Sequence, residues 1–161
     1  MIPYDILNTQ LHKRKGMFFL PFSIEHFDQM EVNQPELQVV AKGQSLRSMI
    51  ANQAEMGTAM TSFVHGKPIA VTGVVYFWNG VGELWSIFDE SIRKRPATML
   101  RTGKSYCDIA MRYLHLHRLQ ITVRTDDIRA INYARHLGFD TEATMRKYGP
   151  DQIDYLLMTR F

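Results

Sequence analysis

Residues able to do chemistry are scattered along this sequence, and most of the familiar spacings fail when checked. Thr102-Gly103-Lys104-Ser105 has the ending of a phosphate-binding loop. That loop also needs a glycine where Thr98 stands and a strand-to-helix junction, whereas this stretch lies inside a helical pattern. His115 and His117 are two apart, so they fall on different faces of a helix and make a poor metal pair. Ser, His and Asp are present without a Gly-x-Ser-x-Gly elbow to expose a nucleophile. Cys107 is the single cysteine, which excludes an internal disulfide and a cysteine-clustered zinc site. Two stretches remain. Residues 83–100 hold a carboxylate, Glu83, and then the basic run Arg93-Lys94-Arg95 ahead of Pro96-Ala97-Thr98. A helix start of this kind offers free N–H groups and a dipole that favour an anion. Residues 119–139 hold a strand end, the polar pair Asp126-Asp127 and Gly138-Phe139.

The elements that must position these residues follow from period and punctuation. An apolar run at 17–22 reads as a strand. Ser23 caps a short helix through Ile24, Phe27 and Met30, which Asn33, Gln34 and Pro35 break. Ser45 caps a second helix that stops at Gly57. Residues 58–65, 69–78 and 82–88 form a meander, with Asn79-Gly80 as the strongest hairpin signal. Pro96 suits the first turn of an amphipathic helix of about five turns, and Gly103 inside it implies a close neighbour. A strand at 119–123, a helix capped by Asp126 or Asp127 and stopped by Gly138, and a hairpin from 139–148 to 153–160 complete the chain. The order is β-α-α-β-β-β-α-β-α-β-β, a mixed α/β sheet with helices on both faces; the strand–helix–strand section requires parallel pairing.

At 161 residues, 45% of them hydrophobic, one domain over 1–161 is expected, with residues 1–16 as a peripheral arm. The arm carries the basic run His12 to Lys15, read as solvated. Nineteen basic against 16 acidic residues give a net charge of +3, far from a dedicated nucleic-acid binder. Neither a membrane span nor the apolar core of a signal peptide is visible, which points to a soluble, intracellular protein. The ten methionines read as core filling.

The element order, with Ala130 three residues after Asp127 and Leu137-Gly138-Phe139 closing the helix, resembles the GCN5-related N-acetyltransferases, the GNAT family. That resemblance implies acetyl-CoA as co-substrate, no metal, and transfer of an acetyl group to a primary amine. It places Trp85, Ser86, Ile87, Arg93, Lys94, Arg95, Ala97, Thr98 and Asp127 at the cofactor. The family's loop R/Q-x-x-G-x-G/A corresponds to Arg93–Thr98, where the glycines are gone and Pro96 removes a donor. Charge from Arg93, Lys94 and Arg95 compensates; a basic solvated turn is the other reading. Glu83 becomes a general base acting through water, a role that requires burial to raise its pKa, against an ordinary strand carboxylate. A backbone N–H after Glu83 polarises the thioester carbonyl. The family's acidic tyrosine falls at Ala134. Tyr133 sits one residue away, about 100° around the helix.

Three runs, Gly80 to Trp85, His117 to Val123 and Met145 to Asp151, are similar to GNAT-like proteins of tailed phages and prophages, some of them internal virion or assembly proteins. This likeness implies a second class of function: a catalytically weakened fold kept as a structural part, with a homo-oligomer or virion proteins as partners and the virion, instead of the host cytoplasm, as its location. Nucleic-acid binding through residues 12–15 and 93–95 is the least favoured class and requires steep salt dependence. At the last hairpin, Gly149-Pro150-Asp151 builds the turn. Tyr148 there is the candidate for the acid that Ala134 cannot supply, and Asp151 and Asp154 are candidates for attracting a cationic amine.

Overall fold

A computed structural model describes residues 2–11, 13–34, 37 and 45–161, with the side chain of Arg93 outside that description. His12 and Pro35, used in the sequence reading, lie outside it as well. The elements are α1 (Tyr4–Gln10), β1 (Met17–Pro21), α2 (Ile24–Asp28), α3 (Leu46–Glu55), β2 (Gly57–Val64), β3 (Lys67–Trp78), β4 (Val81–Phe88), a 3-10 turn (Glu90–Lys94), α4 (Pro96–Tyr113), β5 (Arg118–Arg124), α5 (Ile128–His136), β6 (Asp140–Met145) and β7 (Tyr155–Arg160). The strands form one sheet in the order β1-β2-β3-β4-β5-β7-β6. All neighbours are antiparallel except β4 and β5. Among the described residues the expected order therefore holds, with one helix added at the front.

That helix overturns the reading of residues 1–16 as a peripheral arm. Ile2, Leu7 and Leu11 are only 2–3% exposed and belong to the main core. The carboxamide of Asn8 ties α1 to β1, donating to the Phe19 carbonyl at 2.9 Å and accepting from the Phe19 N–H at 3.0 Å. Only Lys13 to Gly16, exposed to solvent, match the expected arm.

Side-chain alternation divides the sheet into two buried faces. On one, Val74, Leu84, Leu119 and Met158 pack with Ile109 of α4 and Ile131 of α5. On the other, Val71, Val75, Trp85 and Ile87 pack around Ile50 of α3. Because β3 is covered on both sides, its apolar residues run nearly without interruption. Edge strand β6 has the opposite character, with Asp140 and Glu142 on an exposed strand that discourages further pairing.

Local signals set the boundaries of the helices around the cleft. Pro96 occupies the first turn of α4. The Asp127 side chain accepts the Ala130 N–H at 2.9 Å and so caps α5. Gly138, at φ +90°, ends α5 by letting Phe139 turn its N–H back to the Ala134 carbonyl at 3.1 Å. Gly103 has a packing reason: a Cβ there would lie 2.4 Å from the Tyr133 hydroxyl. Its absence lets α5 approach α4.

Candidate active site

Strands β4 and β5 meet over three registered pairs, Val81 with Arg118, Gly82 with Leu119 and Glu83 with Gln120. Beyond Glu83, β4 continues to Phe88 and β5 to Arg124 without pairing. The parallel pair opens there into a cleft, the geometry expected for admitting an extended ligand between strands.

Glu83 stands at the apex. One carboxylate oxygen accepts from the Gln120 side-chain amide at 3.1 Å and the other from the Thr122 hydroxyl at 3.3 Å. Two donors spaced two residues apart on β5 thus orient a half-buried carboxylate toward the opening. Past it, β4 alternates. Asp89 sends its N–H to Ile69 on the β3 side at 3.0 Å, so Leu84, Ser86 and Phe88 turn theirs to the cleft. The Leu84 N–H faces Gln120 at the last register pair, which leaves the Ser86 N–H as the available donor for a carbonyl bound beside Glu83. Side chains split similarly: Trp85 and Ile87 bury themselves on the α3 face, while Ser86 donates to the Thr72 hydroxyl at 3.4 Å on the other. The Trp85 indole N–H is buried without a hydrogen-bond partner.

At the mouth, Arg95 is the N-cap of α4 and gives its own N–H to the Ile92 carbonyl at 2.8 Å. Pro96 has no N–H, which leaves Ala97 and Thr98 as the first-turn donors with no intrahelical acceptor. One guanidinium nitrogen of Arg95 is buried with no partner, and Lys94 is exposed beside it. Arg93 lies in the 3-10 turn. Two first-turn amides and the basic residues Lys94 and Arg95 therefore stand at the start of α4. A cavity of about 40 Å³ lies between the face of β1–β4 and the helices α4 and α5, lined among others by Met60, Thr72, Ser86, Phe88, Met99 and Tyr133. It has room for about three waters.

Other candidates are placed differently. Asp127 is engaged as the cap of α5. Ala134 is buried in the core. The Tyr133 hydroxyl donates to the Met99 carbonyl at 3.4 Å and its ring meets Phe88 edge-on at 5.8 Å; burial raises its pKa above the ordinary tyrosine value. Tyr148 is 57% exposed, edge-on to Tyr155 at 5.3 Å. Tyr155 pairs with Arg124, four residues of strand beyond the Gln120 level. Asp151 is ion-paired to Arg124 at 2.7 Å, and Asp154 accepts the Lys147 N–H at 2.8 Å. The two carboxylates of the hairpin are thus engaged within the fold.

Residues that sequence reasoning missed include Gln120 and Thr122, whose i, i+2 spacing on the strand beside Glu83 was a usable signal. Gln34 is another: its carboxamide reaches the cleft edge of β4. Nothing in the breaker Asn33-Gln34-Pro35 announces that contact. Among the described residues, no group of three His, Cys, Asp or Glu side chains is placed to hold a metal, and no helix is long and apolar enough to cross a membrane.

No family model matches the sequence, and no curated protein does. Solved structures do match the fold. An acetyltransferase (GNAT family) from Bacillus anthracis superposes with a TM-score of 0.73 at 10% identity, over 94% of this chain and 98% of that one. Ard1 from Thermoplasma volcanium gives 0.71 at 15% identity over 90% and 97%. RimL, a ribosomal L7/L12 alpha-N-protein acetyltransferase in complex with coenzyme A, gives 0.69 at 13% identity over 94% and 97%. At these identities the likeness shows the fold, that of the GNAT acetyltransferases.

Proposed function

We propose that this protein transfers an acetyl group from acetyl-CoA to a primary amine. The observation that carries the reading is the parallel β4–β5 pair that parts immediately after Glu83, with the carboxylate held at the apex by Gln120 and Thr122. The fold it shares with acetyltransferases, one of them solved with coenzyme A, supports the donor. The diphosphate of the donor docks on the Ala97 and Thr98 N–H groups with Arg95 and Lys94, and its arm enters between the strands. The thioester carbonyl takes a hydrogen bond from a cleft-facing N–H of β4. An amine nitrogen attacks the carbonyl carbon, the C–N bond forms, the C–S bond breaks, and the proton leaves the nitrogen for Glu83, directly or through water. The thiolate takes its proton from solvent or from the exposed Tyr148 hydroxyl of the last hairpin. Holding the two reactants together supplies much of the rate.

A panel of amines, including peptide N-termini and polyamines, tests this by release of free thiol from acetyl-CoA. Glu83→Gln keeps the two β5 partners within reach and removes the base. Its kcat/KM is expected to fall about 10²-fold or more, as for a general base. Equal rates in the wild type and the variant would remove Glu83 from the mechanism. A second reading, a fold retained as a structural part of a phage particle, is favoured by the glycine-free α4 start with Pro96 in its first turn. Donor binding without turnover on any amine would support it.

A further inference from the structure

The splay leaves the outer edge of β4 without a strand neighbour, and a buried strand edge must place its N–H and C=O groups somewhere. Among the groups that face the cleft are the Ser86 carbonyl and the Phe88 N–H. Both are taken by one side chain. Gln34 accepts from the Phe88 N–H through its Oε1 at 2.7 Å and donates from its Nε2 to the Ser86 carbonyl at 3.4 Å. A carboxamide set across two such groups imitates the N–H and C=O that a single residue of a neighbouring parallel strand presents. Gln34 is 9% exposed, and the backbone before it is fastened to the end of β4. Val32 bridges Asp89, Glu31 gives its N–H to the Asp89 carboxylate at 2.8 Å, and its carbonyl accepts from Glu90 at 2.9 Å. The chain uses the same device at β1, where Asn8 brackets Phe19 with two bonds of 2.9 and 3.0 Å. That site lies at the outer rim of the sheet. Gln34 makes one short and one long bond, and its site lies inside the cleft.

We infer that Gln34 is a built-in competitor for the acyl donor. The inference rests on the acetyl-CoA reading above and adds a regulation of that site. An amide-bearing arm laid along β4 needs the Ser86 carbonyl and the Phe88 N–H, and it takes them only when the Gln34 carboxamide swings out to water. The two edge groups are not stranded by the exchange, because an N–H from one amide of the arm and a C=O from another replace those of the side chain. The apparent affinity is then the intrinsic affinity scaled by the fraction of molecules with a free edge.

Calorimetric titration with acetyl-CoA, on the wild type, Gln34→Ala and Gln34→Leu, tests it, with thermal melts to establish that each variant is folded. Loss of one or two net hydrogen bonds from the closed form is expected to tighten donor binding about five- to tenfold in Gln34→Ala, and in the same direction in Gln34→Leu. Hydrogen exchange gives a second signature: the Phe88 amide loses protection in free Gln34→Ala and regains it on adding acetyl-CoA. Folded variants that bind with unchanged or weaker affinity would overturn the competitor while leaving the donor site standing. Absence of binding in all three proteins at millimolar acetyl-CoA would overturn the donor reading, and the competitor with it.

Discussion

Cys107 sits on the inner face of α4 with no exposed surface, and burial pushes its thiol up to about 11. A thiol so far from ionisation, and so covered, takes no part in chemistry at neutral pH. At pH 8 the native protein is expected to leave a thiol reagent unconsumed over minutes, and the chain unfolded in guanidinium to consume one equivalent. Rapid reaction of the native protein would contradict the packing of α4. Single residues were legible in the sequence where their role depends on strand alternation or helix punctuation. Glu83 stood out through the family resemblance, and Asp127 because a cap precedes its helix. Gln34 was not legible, since its contacts at Ser86 and Phe88 lie 52 and 54 residues away. Tyr148 was legible as a hairpin residue.

Among the elements, the stretch after α2 depends most on one group. Asp89 is fully buried and accepts from the Glu31 N–H, the Ser91 N–H and the Ser91 hydroxyl, with Lys67 at 3.6 Å. Burial alone would raise its pKa; those donors and the lysine outweigh burial and hold it below the ordinary value. A depressed carboxylate contributes stability that is present above the unfolded pKa and lost as pH falls through the folded one, so this contribution fades below about pH 4. Asp89→Asn sets an amide against N–H donors and is expected to cost about 2 kcal/mol, a drop of roughly 4–8 °C in Tm at neutral pH. The gap between variant and wild type should narrow as pH falls below 4; a constant gap would show that charge is not the cause. The start of α4 and the end of α5 were legible because Pro96 and Gly138 act locally. Helix α1 was not, because seven residues carry too little periodicity and its order comes from Leu7 and the Asn8 bonds to β1.

Across the whole molecule, topology was the most legible property. Tight turns impose the antiparallel meander β2-β3-β4, and the long α4 crossover imposes a parallel β5, so the one parallel junction falls beside Glu83. The opening beyond that junction depends on how far β5 follows β4, and no residue pattern encodes that distance. On the proposed function, this opening receives an acyl-CoA donor. Amide NMR spectra recorded during titration with coenzyme A test it most directly. The expected result is a saturable set of shifts concentrated at Leu84, Ser86 and Phe88 of β4 and at Ala97 and Thr98 of α4. No shifts at millimolar coenzyme A, or shifts confined to residues away from the β4–β5 opening and the start of α4, would contradict it.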